Sequence, residues 1–283
     1  MSAPPRPTIA ELLVRYELEP SLKDYYVEGC FDRDLLAHLA KKIGSRDIVF
    51  YEIDAIDVPA ERLLAHGLTD GNKQRVIALA RDLSVVGAKG KYRCIVDRDL
   101  DHWLGQLEDT PRLLFTRFCD VESYFLLEPL VAHFLVTVAK CRIPDWREFY
   151  SSFLIALREM YALRLTDRRL GWNLSWISIE KGFQVGGNSK IKFDMADYLP
   201  KLLAKNGKTK EVEYFMRDHT SACNLLNGDP RLYVRGHDLV DLLAWVVDKF
   251  KGVKAFSGAQ AIERLFFTAT DQADELSELV AEG

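Results

Sequence analysis

The strongest constraint on the fold is an alternation of two apolar rhythms between residues 23 and 121. KDYYVEG (23–29), DIVFYEI (47–53), YRCIVD (92–97) and RLLFTRFCD (112–120) are short runs rich in aromatic and β-branched residues, as strands require. Between them lie two segments of helical spacing. FDRDLLAHLAKKIG (31–44) carries Leu35, Leu36, Leu39, Ala40 and Ile43 on one face and stops at Gly44. NKQRVIALARDLS (72–84) does the same with Val76, Ile77, Leu79, Ala80 and Leu83. Strands that alternate with helices form parallel sheets, because a right-handed crossover lays each helix on a face of the sheet. The expected fold class is therefore α/β, with a mostly parallel sheet flanked by helices.

The flanking sequence differs in character. TIAELLVRY (8–16) opens with Thr8 and Glu11 in capping-box spacing and predicts a short first helix within a lead-in over residues 1–22. After residue 121 the chain reads as mostly helical, over 122–283. SYFLLEPLVAHFLVTVAKC (123–141) is strongly apolar, and 145–165 opens with a second box, Asp145 and Glu148. Further helices are expected over 194–205, 209–218, 236–250 and 258–280. The apolar run 123–139 offers a face to a second copy of the chain, a homodimer.

Composition narrows the class of protein. A net charge of −4 gives no general support to a nucleic-acid binder. No apolar run reaches the ~20 residues that span a bilayer, so no membrane association is expected. The five cysteines include no C-x-x-C, which argues against a disulfide framework or a structural zinc finger. A cytoplasmic location is the expectation.

Acidic residues gather where the expected sheet would place its functional edge. In open parallel sheets, functional residues collect at the carboxyl ends of the strands. Glu28 ends the first strand and Asp97 the third. Asp99 and Asp101 continue a period of two, so an extended chain would point them the same way as Asp97. Asp32 falls in the first turn of the next helix. Carboxylates at close range raise one another's pKa, and a divalent cation relieves the repulsion. Mg²⁺ prefers oxygen ligands and commonly combines one or two carboxylates with substrate phosphates. The cluster thus points to Mg²⁺, or Mn²⁺, and a phosphate-bearing substrate. D-x-D alone also fits a solvated turn; it is the pairing with Glu28 that sharpens the reading.

Glu-Gly after the first strand and D-x-D after the third, here VEG (27–29) and VDRDLD (96–101), resemble the TOPRIM domain of topoisomerases, DnaG-type primases and OLD-type nucleases. Together with GNKQRV (71–76), CDVESYFL (119–126) and RGHDLVDLLAW (235–245), the layout resembles a family of TOPRIM proteins without an assigned function. Some of its members are anti-phage effectors of the AriB type in PARIS systems. The resemblance implies a metal-dependent nuclease, with tRNA among the implied substrates and an ABC-type ATPase as sensor partner. It implies Glu28, Asp97 and Asp99 as catalytic metal ligands, Asp32 as a second-metal acid and Glu122 as a further acidic ligand. Asp101 extends the metal set.

Lys181, in SIEKGF, is a candidate for neutralising charge in the transition state. Gly71 and Lys73 are candidates for binding phosphate at a helix start. GAKGK (87–91) is not a P-loop, so any ATP site must come from a partner. HAD-type phosphatases carry D-x-D after the first strand, not the third, and a topoisomerase would need a much longer chain. The competing class is a non-catalytic TOPRIM-like module that regulates an ATPase complex.

Overall fold

The computed structural model describes residues 6–85, 90–187 and 190–281. It divides into two compact units, Met1–Arg117 with Ala273–Gly283, and Phe118–Gln272. The last residues of the chain thus group with the first unit, not with the helical region that precedes them.

The first unit is an α/β fold. It contains α1 (Ile9–Leu18), β1 (Lys23–Val27), α2 (Cys30–Ile43), β2 (Ile48–Glu52), α3 (Ala60–Ala65), α4 (Asn72–Val85), β3 (Arg93–Val96), α5 (Asp101–Leu104) and β4 (Leu113–Phe115). The sheet has four strands in the order β2-β1-β3-β4, and every neighbouring pair is parallel. Thr8 and Glu11 form the reciprocal capping box that starts α1. Successive residues of a strand face opposite ways. On one face Tyr26, Cys94 and Val96 pack with Tyr16 of α1 and with Val76, Leu79 and Leu83 of α4. The Tyr16 and Tyr26 hydroxyls meet there at 2.6 Å. α2 buries Leu35, Leu36, Leu39 and Ala40 and packs on β1 and β2. A short helical turn, Asp274–Leu279, also contacts α2. Arg117 holds that segment through Glu275 at 3.3 Å and Glu278 at 2.9 Å.

Phe118–Gln272 is mostly helical: α6 (Glu128–Ala132), α7 (Trp146–Leu170), α8 (Met195–Lys205), α9 (Val212–Leu225), α10 (Gly236–Lys249) and α11 (Ala259–Thr268). A hairpin, β5 (Phe183–Val185) and β6 (Ile191–Phe193), joins them in the stretch where the sequence shows no clear pattern. Asp145 caps α7, accepting a hydrogen bond from the Glu148 N–H at 3.0 Å. α7 and α10 are joined by a buried bidentate pair, Arg164 Nε and Nη2 to Asp238 at 2.7 and 2.6 Å.

Four expectations are corrected. The single helix over 123–141 is a 3₁₀ turn (Glu122–Phe125), then α6, then a wide helical turn over His133–Val138. Pro129 accounts for the first break: it lacks an N–H to bond the preceding turn, and it takes the first turn of α6 instead. The helix over 258–280 ends at Thr268, where Thr268 and Thr270 turn their hydroxyls to carbonyls three residues back. The fourth strand is only Leu113–Phe115: the Thr116 N–H still donates to the Val96 carbonyl at 2.9 Å, but the Thr116 hydroxyl and carbonyl both go to Arg98 in the loop after β3. That loop is itself not extended. Asp99 sits at φ +47°, and the Asp101 N–H closes a turn onto the Arg98 carbonyl at 3.2 Å. Asp is one of the residues that tolerates the left-handed region.

Candidate active site

The sheet register builds the site. Tyr26 pairs with Cys94 across β1 and β3, so the parallel strands end side by side, with Glu28 one residue past β1 and Asp97 one past β3. Glu28 Oε1 accepts a hydrogen bond from the Asp97 N–H at 2.8 Å. The Asn72 side chain donates to the Glu28 carbonyl at 2.9 Å, tying the start of α4 to the end of β1. Gly29 stands at the cap of α2, and Asp32 lies in the first turn of that helix.

The D-x-D loop is pinned from the fourth strand. Thr116 Oγ1 accepts from the Arg98 N–H, and the Thr116 carbonyl accepts from Arg98 Nε, both at 2.9 Å. With its backbone held this way, the loop turns Asp99 and Asp101 onto Lys73. The ammonium lies 3.0 Å from Asp99 and 2.7 Å from Asp101, and 5.9 Å from the centre of the Phe115 ring. Lys73 is nearly buried, with 13% of its side chain exposed.

Electrostatics separates these acids. Burial raises the Glu28 carboxyl, the negative charge of Asp99 raises it further, and it reaches about 8 despite the Asp97 N–H and Lys73. Glu28 therefore holds a proton near neutral pH even with Lys73 beside it. Burial alone would lower the Lys73 ammonium. Asp99 and Asp101 outweigh that effect and push it up to about 12.

Glu28 and the Asp97 backbone, and Asp99 and Asp101 with Lys73, thus lie on the edge formed by β1, β3 and the start of α4, though among the described residues no three acids of this edge set their ligand oxygens within 4.8 Å of one another. The Gly71 N–H is already taken by Asp70 Oδ1 at 2.8 Å. GAKGK falls largely outside the described residues. Glu122 and Lys181 belong to the other unit. Glu122 is buried and packs against Gly236, while Lys181 is exposed in the turn before β5. CDVES and RGHDL meet there: the Gly236 N–H donates to Asp120, which also accepts from the Ser123 N–H. A side chain at position 236 would stand 2.6 Å from Glu122 Cβ. His237 is exposed. Trp172 packs on Phe215 beneath Lys208, and Trp176 lies under Arg164.

Sequence reasoning missed the roles of Thr116 and Asn72. Each sits beside a strand or helix end and reaches backbone groups of another segment, which no local pattern reveals. No protein-family model matches the chain, and no curated protein matches it.

Proposed function

We propose that the protein is a Mg²⁺-dependent TOPRIM-type nuclease that hydrolyses phosphodiester bonds in nucleic acid, RNA being the favoured class and tRNA one candidate within it, and that it acts as an anti-phage effector under an ABC-type ATPase. The observation that carries the reading is the Glu28–Asp97 pair at adjacent parallel strand ends, with the Glu28 carboxyl raised by burial and by Asp99.

The donor set suits the ion. Glu28 and Asp97 offer hard oxygens, and Asp32 and Asp99 stand near in the chain; Mg²⁺ needs only one or two carboxylates beside water and phosphate. Mn²⁺ would serve in the same place. When bound, the ion would activate water and stabilise the leaving oxygen. The chain's own contribution is proton handling and charge. Glu28, whose carboxyl is raised by burial and by Asp99 while the ion is absent, would give up its proton to solvent on binding the ion. Lys73, fixed by two aspartates, holds the D-x-D loop in its turn. Lys181 and Glu122 enter this reading only through the resemblance.

The test is cleavage of total tRNA, single-stranded RNA and duplex DNA by the purified protein with Mg²⁺, Mn²⁺ or EDTA, beside Glu28→Ala and Asp97→Ala. Metal-dependent cutting that both variants lose supports the proposal. Cutting that persists in both defeats it.

A second reading is favoured by Lys73. Because its ammonium already compensates Asp99 and Asp101, part of the acidic edge is satisfied without a metal. That suits a non-catalytic TOPRIM-like module of an ATPase complex. Such a module would cut nothing even with its ATPase present, and its binding to the ATPase would survive Glu28→Ala.

A further inference from the structure

α7 and α9 carry a second constellation that the acidic edge does not use. His219 and Cys223 are four residues apart on α9 and so share a face. Glu159, on the neighbouring α7, completes a group whose ligand atoms all lie within 4.8 Å of one another. His219 Nε2 stands 3.7 Å from Cys223 Sγ and 3.4 Å from Glu159 Oε2.

Those spacings match a known coordination geometry. A tetrahedral Zn²⁺ with bonds of about 2.3 Å to sulfur, 2.0–2.1 Å to imidazole and 2.0–2.2 Å to carboxylate sets sulfur and nitrogen about 3.6 Å apart. The same geometry sets nitrogen and oxygen about 3.4 Å apart. The remaining sulfur–oxygen pair, within 4.8 Å, closes with a rotation of Glu159, whose side chain is 36% exposed.

The Cys223 sulfur stands level with both ring nitrogens of His219, 3.8 Å from Nδ1 and 3.7 Å from Nε2, while Glu159 reaches Nε2. The site is also built and reachable. It lines a cavity of about 490 Å³ whose other walls include Ile155, Ala156, Phe193 and Met216. Arg158 fixes one helix to the other by donating to the Cys223 carbonyl at 2.6 Å.

We propose that Glu159, His219 and Cys223 form a binding site for a borderline transition-metal ion, Zn²⁺ by ligand type and geometry, with its fourth position open to the cavity. Burial lowers the His219 pKa, against the opposing pull of Glu159 and Asp218. Burial and then Glu159 raise the Cys223 thiol to about 11, against Arg158. Metal entry therefore forms the metal–sulfur bond and releases the thiol proton to solvent, with no change of oxidation state. Soft and borderline ligands separate this site from the oxygen-only edge of the first unit.

The experiment is a titration of the full chain with Co²⁺, read by the thiolate-to-cobalt charge-transfer band, followed by displacement with Zn²⁺. One equivalent should give the band in the native protein and in Asp97→Ala. Cys223→Ser should abolish it. Glu159→Gln, a conservative change on a half-exposed side chain, should weaken Zn²⁺ binding at least tenfold in competition with a chromophoric chelator. Circular dichroism checks that each variant is folded. A folded native protein that gives no thiolate band overturns the proposal, as does a band that survives in Cys223→Ser. Loss of cleavage by Glu28→Ala bears only on the nuclease reading, so the two proposals fail separately.

Discussion

Glu28→Gln tests the electrostatics of the acidic edge without requiring any substrate. The Glu28 carboxyl is raised from 4.5 to about 8, by burial first and by Asp99 second. The folded state thus holds a proton that the unfolded state has lost. Stability from this group is fully present below the unfolded value and is lost as pH rises through the folded one. Between those limits the loss is about 1.4 kcal/mol per pH unit, so from about pH 5.5 to 7.5 it amounts to about 2.7 kcal/mol. Glutamine keeps an oxygen for the Asp97 N–H and titrates nothing. The native protein should therefore lose stability relative to Glu28→Gln across that window, measured by urea unfolding in EDTA. His219, whose lowered pKa works in the opposite direction, is common to both proteins and drops out of the difference. Adding Mg²⁺ should shrink the gap, because a cation stabilises the ionised carboxylate. Parallel pH profiles for the two proteins in EDTA would refute the reasoning.

Lys73→Met removes the ammonium that stands 2.7–3.0 Å from Asp101 and Asp99. Since Lys73 also lowers Glu28, the same pH series should show the loss of stability extending to higher pH. Arg164→Met strands the buried Asp238 and should cost about 3–5 kcal/mol in urea unfolding, whereas Arg164→Met with Asp238→Leu should recover most of it. Gly236→Ala, with a new methyl 2.6 Å from Glu122 Cβ, should cost about 1–3 kcal/mol. Gly258→Ser enters open space at the cap of α11 and should hold or gain stability in the same assay.

The parts of the fold legible in the sequence are those whose cause is local. β1 and β3 show as short runs ending in acids, and α2 and α4 as apolar faces bounded by Gly44 and by the GNK turn. The parallel sheet then follows from alternation alone. The errors lie where local pattern and chain geometry part. The run 123–141 is apolar enough for one helix, yet Pro129 forces a restart. Asp97, Asp99 and Asp101 alternate like a strand, yet the chain turns at Asp99 because Thr116 captures the Arg98 N–H. Thr116 lies 18 residues from Arg98, and nothing local to the loop announces it.

The same distinction governs the chemistry. Three alternating aspartates imply a cation, since like charges at close range need compensation. Part of that compensation is a side chain: Lys73 arrives from the start of α4, 26 residues before Asp99, and satisfies Asp99 and Asp101. A cluster of acids close in sequence is visible by inspection, but a counter-ion brought by a separate helix is not. Glu28 is the acid that Lys73 does not offset, for burial first and Asp99 second keep it raised to about 8 with Lys73 in place. The case for a divalent ion therefore rests on Glu28 and its neighbour Asp97, more than on the D-x-D run that first suggests it. It follows that Mg²⁺ affinity should fall further on losing Glu28 than on losing Asp101, a comparison that calorimetry of the two single variants decides.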